Sequence, residues 1–403
     1  MSSLPLFSGL ELAPADPILG VIEAFNADTR PSKVNLGVGV YLGEDGKIPV
    51  LECVRAAESA LVQKVAPRGY LPIDGIDAYC KGVQSLLFGP GTPLAASGQV
   101  VIAQALGGTG GLRLGADLLR KASPSSTVLL SDPSWENHRA VFEAAGFPVA
   151  TYPYYDPVTH GLDFEGMRAA LAGARARSIV ILHACCHNPT GVDPTPEQWT
   201  EIVRIARERD LVPFLDLAYQ GFGEGLEADR AVVDLFAASG LSFLVASSFS
   251  KSFSLYGERV GALSLVTHDA DEARRVRSQL KRVIRSNYST PATHGGALVA
   301  AVLSDPALKA KWQSELESMR LRIRSMREAL AARLSALVPG HDFAYVLRQR
   351  GMFSYSGLSA AQVERLRAES GIYAISSGRI CVAALNGRNV DAVASAIAAV
   401  MKG

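Results

Sequence analysis

The sequence predicts an α/β protein: a large domain with a mostly parallel sheet sandwiched by helices, plus a smaller α+β domain. Three observations carry this expectation. Short β-rich runs alternate with amphipathic helical stretches from about residue 99 to 265, the pattern of parallel strands joined by crossover helices. A long, charge-laced helical pattern from about Asp305 to Leu337 then leads into a mixed segment ending near Met401. Finally, 403 residues with 48% hydrophobic content are enough for two cores and too apolar for disorder.

Taken in order, the stretch up to about Val40 reads as extended and turn-rich, with Pro14, Pro17, Pro31 and a Gly37-Val38-Gly39 turn. It packs either with the C-terminal segment or with a second subunit. The clearest strands are Val100–Ala103, Thr127–Leu130, Ser178–Leu182, Val212–Leu215 and Phe243–Ala246. After Asn188 a helix starts at Thr195-Pro196-Glu197-Gln198, where threonine caps, proline is tolerated at the first position and glutamine closes a capping box. No internal repeat or low-complexity tract is present.

Charge and composition exclude several classes. Forty Lys+Arg against thirty-nine Asp+Glu leave a formal charge of +1, with no global basic field to attract nucleic acid or an anionic membrane. The start, Met1-Ser2-Ser3-Leu4-Pro5-Leu6-Phe7, has neither a basic segment nor an apolar core, and no apolar run approaches the ~18 residues that span a bilayer. Five cysteines, two of them adjacent, argue against a disulfide framework. A cytoplasmic protein with reduced thiols is expected.

Most groups able to carry chemistry follow a predicted strand, where ligands of open α/β sheets bind. Lys251 lies among hydroxyls and aromatics in Ser247-Ser248-Phe249-Ser250-Lys251-Ser252-Phe253-Ser254-Leu255-Tyr256-Gly257-Glu258-Arg259, a setting for an amine that forms an imine beside a phosphate, as with pyridoxal 5'-phosphate. The run Gly107-Gly108-Thr109-Gly110-Gly111 opens a helix and reads equally as an anion site or a tight turn. Asp216 ends an apolar strand, with Tyr219 close behind; it is either a turn aspartate or the partner of a protonated ring nitrogen. Cys185, Cys186, His183 and His187 lack the spacing of a zinc site, so no metal is expected, and Asn188 is better placed to donate to a ring oxygen. Trp135 is a stacking surface or a core tryptophan. Arg379 is a surface arginine or a carboxylate clamp.

Asn188-Pro189-Thr190-Gly191, Asp216-x-x-Tyr219 and Ser248-x-x-Lys251 with Arg259 together resemble the class I, fold-type I aminotransferases, collinearly over essentially the whole chain. Within them the chain looks most like the aspartate/aromatic branch, and especially the bacterial aromatic-amino-acid (tyrosine) enzymes, in Gln104–Gly110, Pro133–His138 and Gln349–Tyr355. The resemblance implies pyridoxal 5'-phosphate, amino-acid and 2-oxo-acid substrates, and a homodimer with shared sites. It implies an N-terminal arm and part of the small domain over 1–41, a large cofactor-binding domain over 42–310 and a small C-terminal domain over 311–403. By it, Lys251 bonds the cofactor and moves the substrate's proton, Asp216 pairs with the ring nitrogen, and His138 supports Asp216 from behind. Asn188 and Tyr219 meet the phenolic oxygen, and Trp135 stacks on the ring. Gly108, Thr109, Ser248 and Arg259 hold the phosphate, with Tyr70 from the second subunit. Arg379 binds the substrate α-carboxylate with Asn188 and Gly39, and Arg285 reaches across the dimer to a distal carboxylate. Leu42, Ile48 and Gly69 stand where aspartate-selective relatives are more polar, which implies room for an aromatic ring and so exchange of L-phenylalanine or L-tyrosine, and also L-aspartate, with 2-oxoglutarate; the alternative is an aspartate aminotransferase with little aromatic activity. Thr290-Pro291-Ala292 departs from the family's more usual small-residue-Pro-Pro, and Gly107 lacks the hydroxyl that aspartate-selective members place beside the phosphate. The same fold and cofactor also serve lyases and decarboxylases.

Overall fold

The structure, a computed structural model, describes residues 6–12, 17–65, 67 and 69–402; Pro14 lies outside them. Seven strands form the main sheet: β1 (Val100–Leu106), β2 (Val128–Asp132), β3 (Val149–Pro153), β4 (Ile179–His183), β5 (Val212–Leu217), β6 (Phe243–Ser248) and β7 (Val260–Val266), in spatial order β1-β7-β6-β5-β4-β2-β3. Five of them are the expected strands. The helices that matter for the site are α1 (Pro17–Ala27), α2 (Gly107–Ala122), α3 (Pro196–Glu208), α4 (Ala270–Asn287) and α5 (Pro306–Leu337).

Side chains alternate between two cores. In β4, Ile179 and Ile181 join the core on one face while Val180 and Leu182 join the other; Phe214 and Leu215 of β5 divide the same way. Both faces are therefore covered, as a parallel sheet requires.

The sheet is mostly parallel, as expected; of its seven strands β7 alone runs antiparallel to its neighbours β1 and β6, because the link Phe249–Arg259 holds no crossover helix and so returns the chain directly. One expectation is corrected. The N-terminal stretch is not all extended: α1 spans Pro17–Ala27, with proline at a helix start, where its missing N–H costs nothing. Further on, Val34–Asn35 pairs in parallel with Ile372–Tyr373, so this part of the arm packs on the C-terminal segment.

Helix α3 begins as its sequence indicates, with Thr195 Oγ1 accepting from the Gln198 N–H (3.3 Å) and Gln198 Oε1 accepting from the Thr195 N–H (2.8 Å). Helix α5 is capped by Asp305, whose carboxylate accepts from the N–H groups of Ala307 and Leu308. Trp312, Leu316, Met319, Ile323, Leu330 and Leu334 recur on its buried side at helical spacing. Trp312 donates from Nε1 to the carbonyl of Ser252 (2.7 Å) and stacks on Phe253 with ring centroids 4.6 Å apart. The long helix thereby holds the loop that carries Lys251. Residue 310 lies within α5, so a division there cuts no flexible link. No helix among the described residues is long and apolar enough to cross a membrane.

Candidate active site

The carboxyl ends of the parallel strands and the start of β7 lie at one edge of the sheet, since β7 runs the other way. Gly108 and Thr109 follow β1, Trp135 follows β2, Asn188 follows β4, Asp216 and Tyr219 end or follow β5, and Ser248 and Lys251 end or follow β6. Arg259 leads into β7. Together with Gly39 and Arg379 these residues line one cavity of about 230 Å³. Gly261 permits the tight approach of β7 to the start of α2: a Cβ there would come within 2.4 Å of the Gly107 carbonyl carbon.

Asp216 is buried, and burial alone would raise its pKa. The hydrogen bond from His138 Nε2 to its Oδ2 (2.9 Å), with the nearby charges of His138, His183 and Lys251, outweighs burial and lowers it. His138 is fixed in turn by Ser134 Oγ at Nδ1 (2.9 Å). The site thus carries a built-in carboxylate facing an amine. Lys251 lies 5.0 Å over the Tyr219 ring, and burial, opposed by Asp216 and aided by Arg259 and Arg379, lowers its pKa from 10.5 to about 8. At pH 7 this raises the free-amine fraction from below about 0.1% to about 10%. Covalent capture of pyridoxal phosphate by the cofactor-free protein should therefore quicken with pH around a midpoint near 8. A midpoint above about 10, the ordinary lysine value, would contradict this environment for Lys251.

Arg379 is 1% exposed. Its Nη1 donates to Asn188 Oδ1 (3.1 Å), its Nη2 donates to the Gly37 carbonyl (2.8 Å), and its Nε has no partner. Its guanidinium carbon sits 4.4 Å from the Phe353 ring centroid, and it forms no ion pair among the described residues. A buried cation left this way is poised for an anion. Asn188 Nδ2 also donates to the Tyr219 hydroxyl at 3.4 Å, tying the arginine to the tyrosine.

Some expected residues lie elsewhere in this protomer. Tyr70 is 96% exposed, and Arg285, at the exposed end of α4, donates to Ser289 Oγ (2.5 Å); neither lines the cavity. Leu42, Ile48 and Gly69 do not line it either. Conversely, the cavity includes His183, Ser250, Tyr256 and Phe353, which the sequence did not single out as site residues. Tyr256 and Ser250 lie in the quoted lysine run, whose density of hydroxyls was the available signal. The Cys/His segment is packed inside: Cys185 and Cys186 are buried, and His187 is held by Ser131 and Thr190 and stacked on Tyr154 at 3.9 Å.

The family model for "Aminotransferase class I and II" matches residues 31–397. The chain belongs to this family. An aspartate aminotransferase from Pseudomonas aeruginosa is 61% identical over 99% of this chain and 100% of its own length. An aromatic-amino-acid aminotransferase from Escherichia coli K12 is 52% identical over 98% of this chain and 100% of its own. The crystal structure of an aromatic-amino-acid aminotransferase from Burkholderia pseudomallei, covalently bound to pyridoxal phosphate, superposes with a TM-score of 0.97 at 65% identity, covering 98% of this chain and 100% of that one. The protein is a pyridoxal-phosphate-dependent transaminase.

The residues present fit that cofactor. The first N–H groups of α2, the Ser248 hydroxyl and Arg259 form a donor set for a dianionic phosphate, beside an amine able to bond a carbonyl. The wall is shaped closely: a Cβ on Gly108 would lie 3.2 Å from Ser248 Cβ.

Proposed function

We propose that this transaminase moves the amino group between L-phenylalanine or L-tyrosine and 2-oxoglutarate, accepts L-aspartate too, and works by a ping-pong mechanism as a cytoplasmic homodimer with shared sites. The observation that carries the reading is Arg379: a buried guanidinium with an unpartnered Nε, facing the same cavity as the Lys251 amine. It suits a substrate α-carboxylate held beside the group that moves the α-proton.

The cofactor, when bound, would supply an aldehyde carbon that receives the amino group and a ring that spreads the charge left at Cα. The chain's own residues do the rest. Lys251, as a free amine, takes the proton from Cα and would deliver it to the cofactor carbon that receives the amino group. Asp216, kept ionised by His138, would pair with the ring nitrogen, and Asn188 and Tyr219 would donate on the phenolic side. Trp135 covers the ring face. Gly108, Thr109, Ser248 and Arg259 hold the phosphate. Arg379, with Asn188 and Gly39, orients the α-carboxylate.

The dimer is supported by what one protomer leaves outside. Tyr70 and Arg285 stand away from the cavity, and Leu6, Phe7, Leu10, Leu12, Val62 and Val65 are exposed apolar side chains that a second copy would cover. From that copy Tyr70 would reach the phosphate and Arg285 a distal carboxylate. We assign 1–41 to an arm and part of the small domain, 42–310 to the large domain and 311–403 to the rest of the small one. The cytoplasmic setting is supported by five cysteines that are all free thiols.

Identity with the Pseudomonas aspartate enzyme favours a second reading, an aspartate aminotransferase with little aromatic activity. Steady-state kinetics of Arg285→Leu separates the two. The proposal expects kcat/KM for aspartate to fall at least about 100-fold, the worth of a charged, two-pronged contact, with phenylalanine changed less than about threefold. Equal loss on both substrates would overturn the role of Arg285, and negligible wild-type turnover of phenylalanine would favour the aspartate enzyme.

A further inference from the structure

Tyr256 lines the cavity together with Lys251, Arg259 and Arg379 and has no part in the proposed reaction. Its hydroxyl accepts a hydrogen bond from the backbone N–H of Tyr41 (2.8 Å), and its carbonyl accepts one from Arg259 Nη1 (3.0 Å). It therefore joins the phosphate-side arginine to the segment Leu36–Leu42. That segment forms part of the substrate side. The Gly37 carbonyl takes Arg379 Nη2, and Gly39 abuts Phe353 so tightly that a Cβ would lie 2.8 Å from Cζ.

The segment is held on two sides. Inward, Cys381 N–H donates to the Leu36 carbonyl (2.7 Å) and Leu42 N–H to the Ala383 carbonyl (3.0 Å). On the other side stand Tyr256 and Arg322 of α5, whose Nη1 donates to the Leu42 carbonyl (2.8 Å) while its guanidinium lies 5.2 Å from the Tyr41 ring centroid. Tyr41 is buried, so its N–H has no ready replacement partner if the Tyr256 hydroxyl is removed.

We infer that Tyr256 is a positioning residue for the substrate α-carboxylate: by fixing Tyr41 it fixes Gly37 and Gly39, and through the Gly37 carbonyl it sets the orientation of Arg379. It also ties that clamp to Arg259. The inference rests on the proposed role of Arg379. A two-pronged guanidinium contact tolerates little rotation, so loosening its anchor weakens binding without removing the charge.

The test is a double-mutant cycle read by calorimetric binding of succinate and 3-phenylpropionate to the cofactor-loaded protein; lacking an amino group, neither can react. Tyr256→Phe should weaken both ligands about five- to tenfold, with cofactor absorbance unchanged and Tm lowered by only a few degrees, the cost of one unpaired buried N–H. In an Arg379→Lys background the same change should cost less than about twofold, because the clamp it serves is already impaired. Unaltered binding in Tyr256→Phe, or an equal loss in both backgrounds, would overturn the inference. Unaltered binding in Arg379→Lys would instead overturn the reading of Arg379, and the inference with it. If Tyr256→Phe fails to fold, Arg322→Met, outside the cavity, carries the same cycle: a smaller loss confined to the Arg379 background supports the inference, and an equal or absent one overturns it.

Discussion

Lys251→Ala should lower turnover about 10⁴-fold, the upper range for removing a positioned acid/base group. Among the described residues no other lysine lines the cavity, the neighbouring hydroxyls of Ser250 and Tyr256 are poor bases at neutral pH, and His183 packs against His138 rather than beside the amine. Burial brings the Lys251 amine to about 8, near the working range, and no other change reproduces that. Lys251→Arg should fail as badly: it keeps the charge, but a guanidinium stays protonated and cannot take a proton. Stability should hardly suffer, because Lys251 forms no ion pair among the described residues and points into a cavity. The check is kcat beside Tm for both variants. More than about 1% residual turnover in either would place the proton transfer elsewhere.

Asp216→Asn should cost about 10³-fold in kcat, comparable to removing a preorganised electrostatic partner from a buried site. The change keeps size and shape and can still accept from His138, so what is lost is the negative charge. The structure invests in that charge: burial opposes it, yet Ser134 orients His138 and His138 holds the carboxylate ionised. Asp216→Glu restores the charge but displaces it by about a bond length, and should recover only part of the rate. Measured kcat across Asp216, Asn and Glu should fall in the order Asp, Glu, Asn. Full activity in Asp216→Asn would mean that the ring needs no anionic partner.

The central strands were legible because each is a short, largely apolar run ended by a turn or a helix start, and Thr195-Pro196-Glu197-Gln198 encodes its own helix cap. The site was legible for the same reason: Gly108, Trp135, Asn188, Asp216 and Lys251 each follow such a run, and strand ends converge in an open sheet. What was hidden has physical causes. Strand β3 is an edge strand with Ala150 and Thr151 exposed, so its pattern is weak. The direction of β7 is written in the shortness of a connection, not in its composition. Helix α1 was obscured by Pro17, which reads as a turn residue yet is favoured at a helix start. Phe353 reaches the cavity only through long-range packing of the C-terminal segment. Tyr70 and Arg285 matched family positions, but a single protomer gives them no cavity to line.

The most direct measurement is a single-turnover experiment in which L-phenylalanine and L-aspartate are mixed separately with the purified, cofactor-loaded protein and the cofactor's absorbance is followed. The account expects both amino acids to convert the absorbance to that of the aminated cofactor, with phenylalanine at a rate comparable to aspartate or faster. Conversion by neither would contradict amino-group transfer at this site.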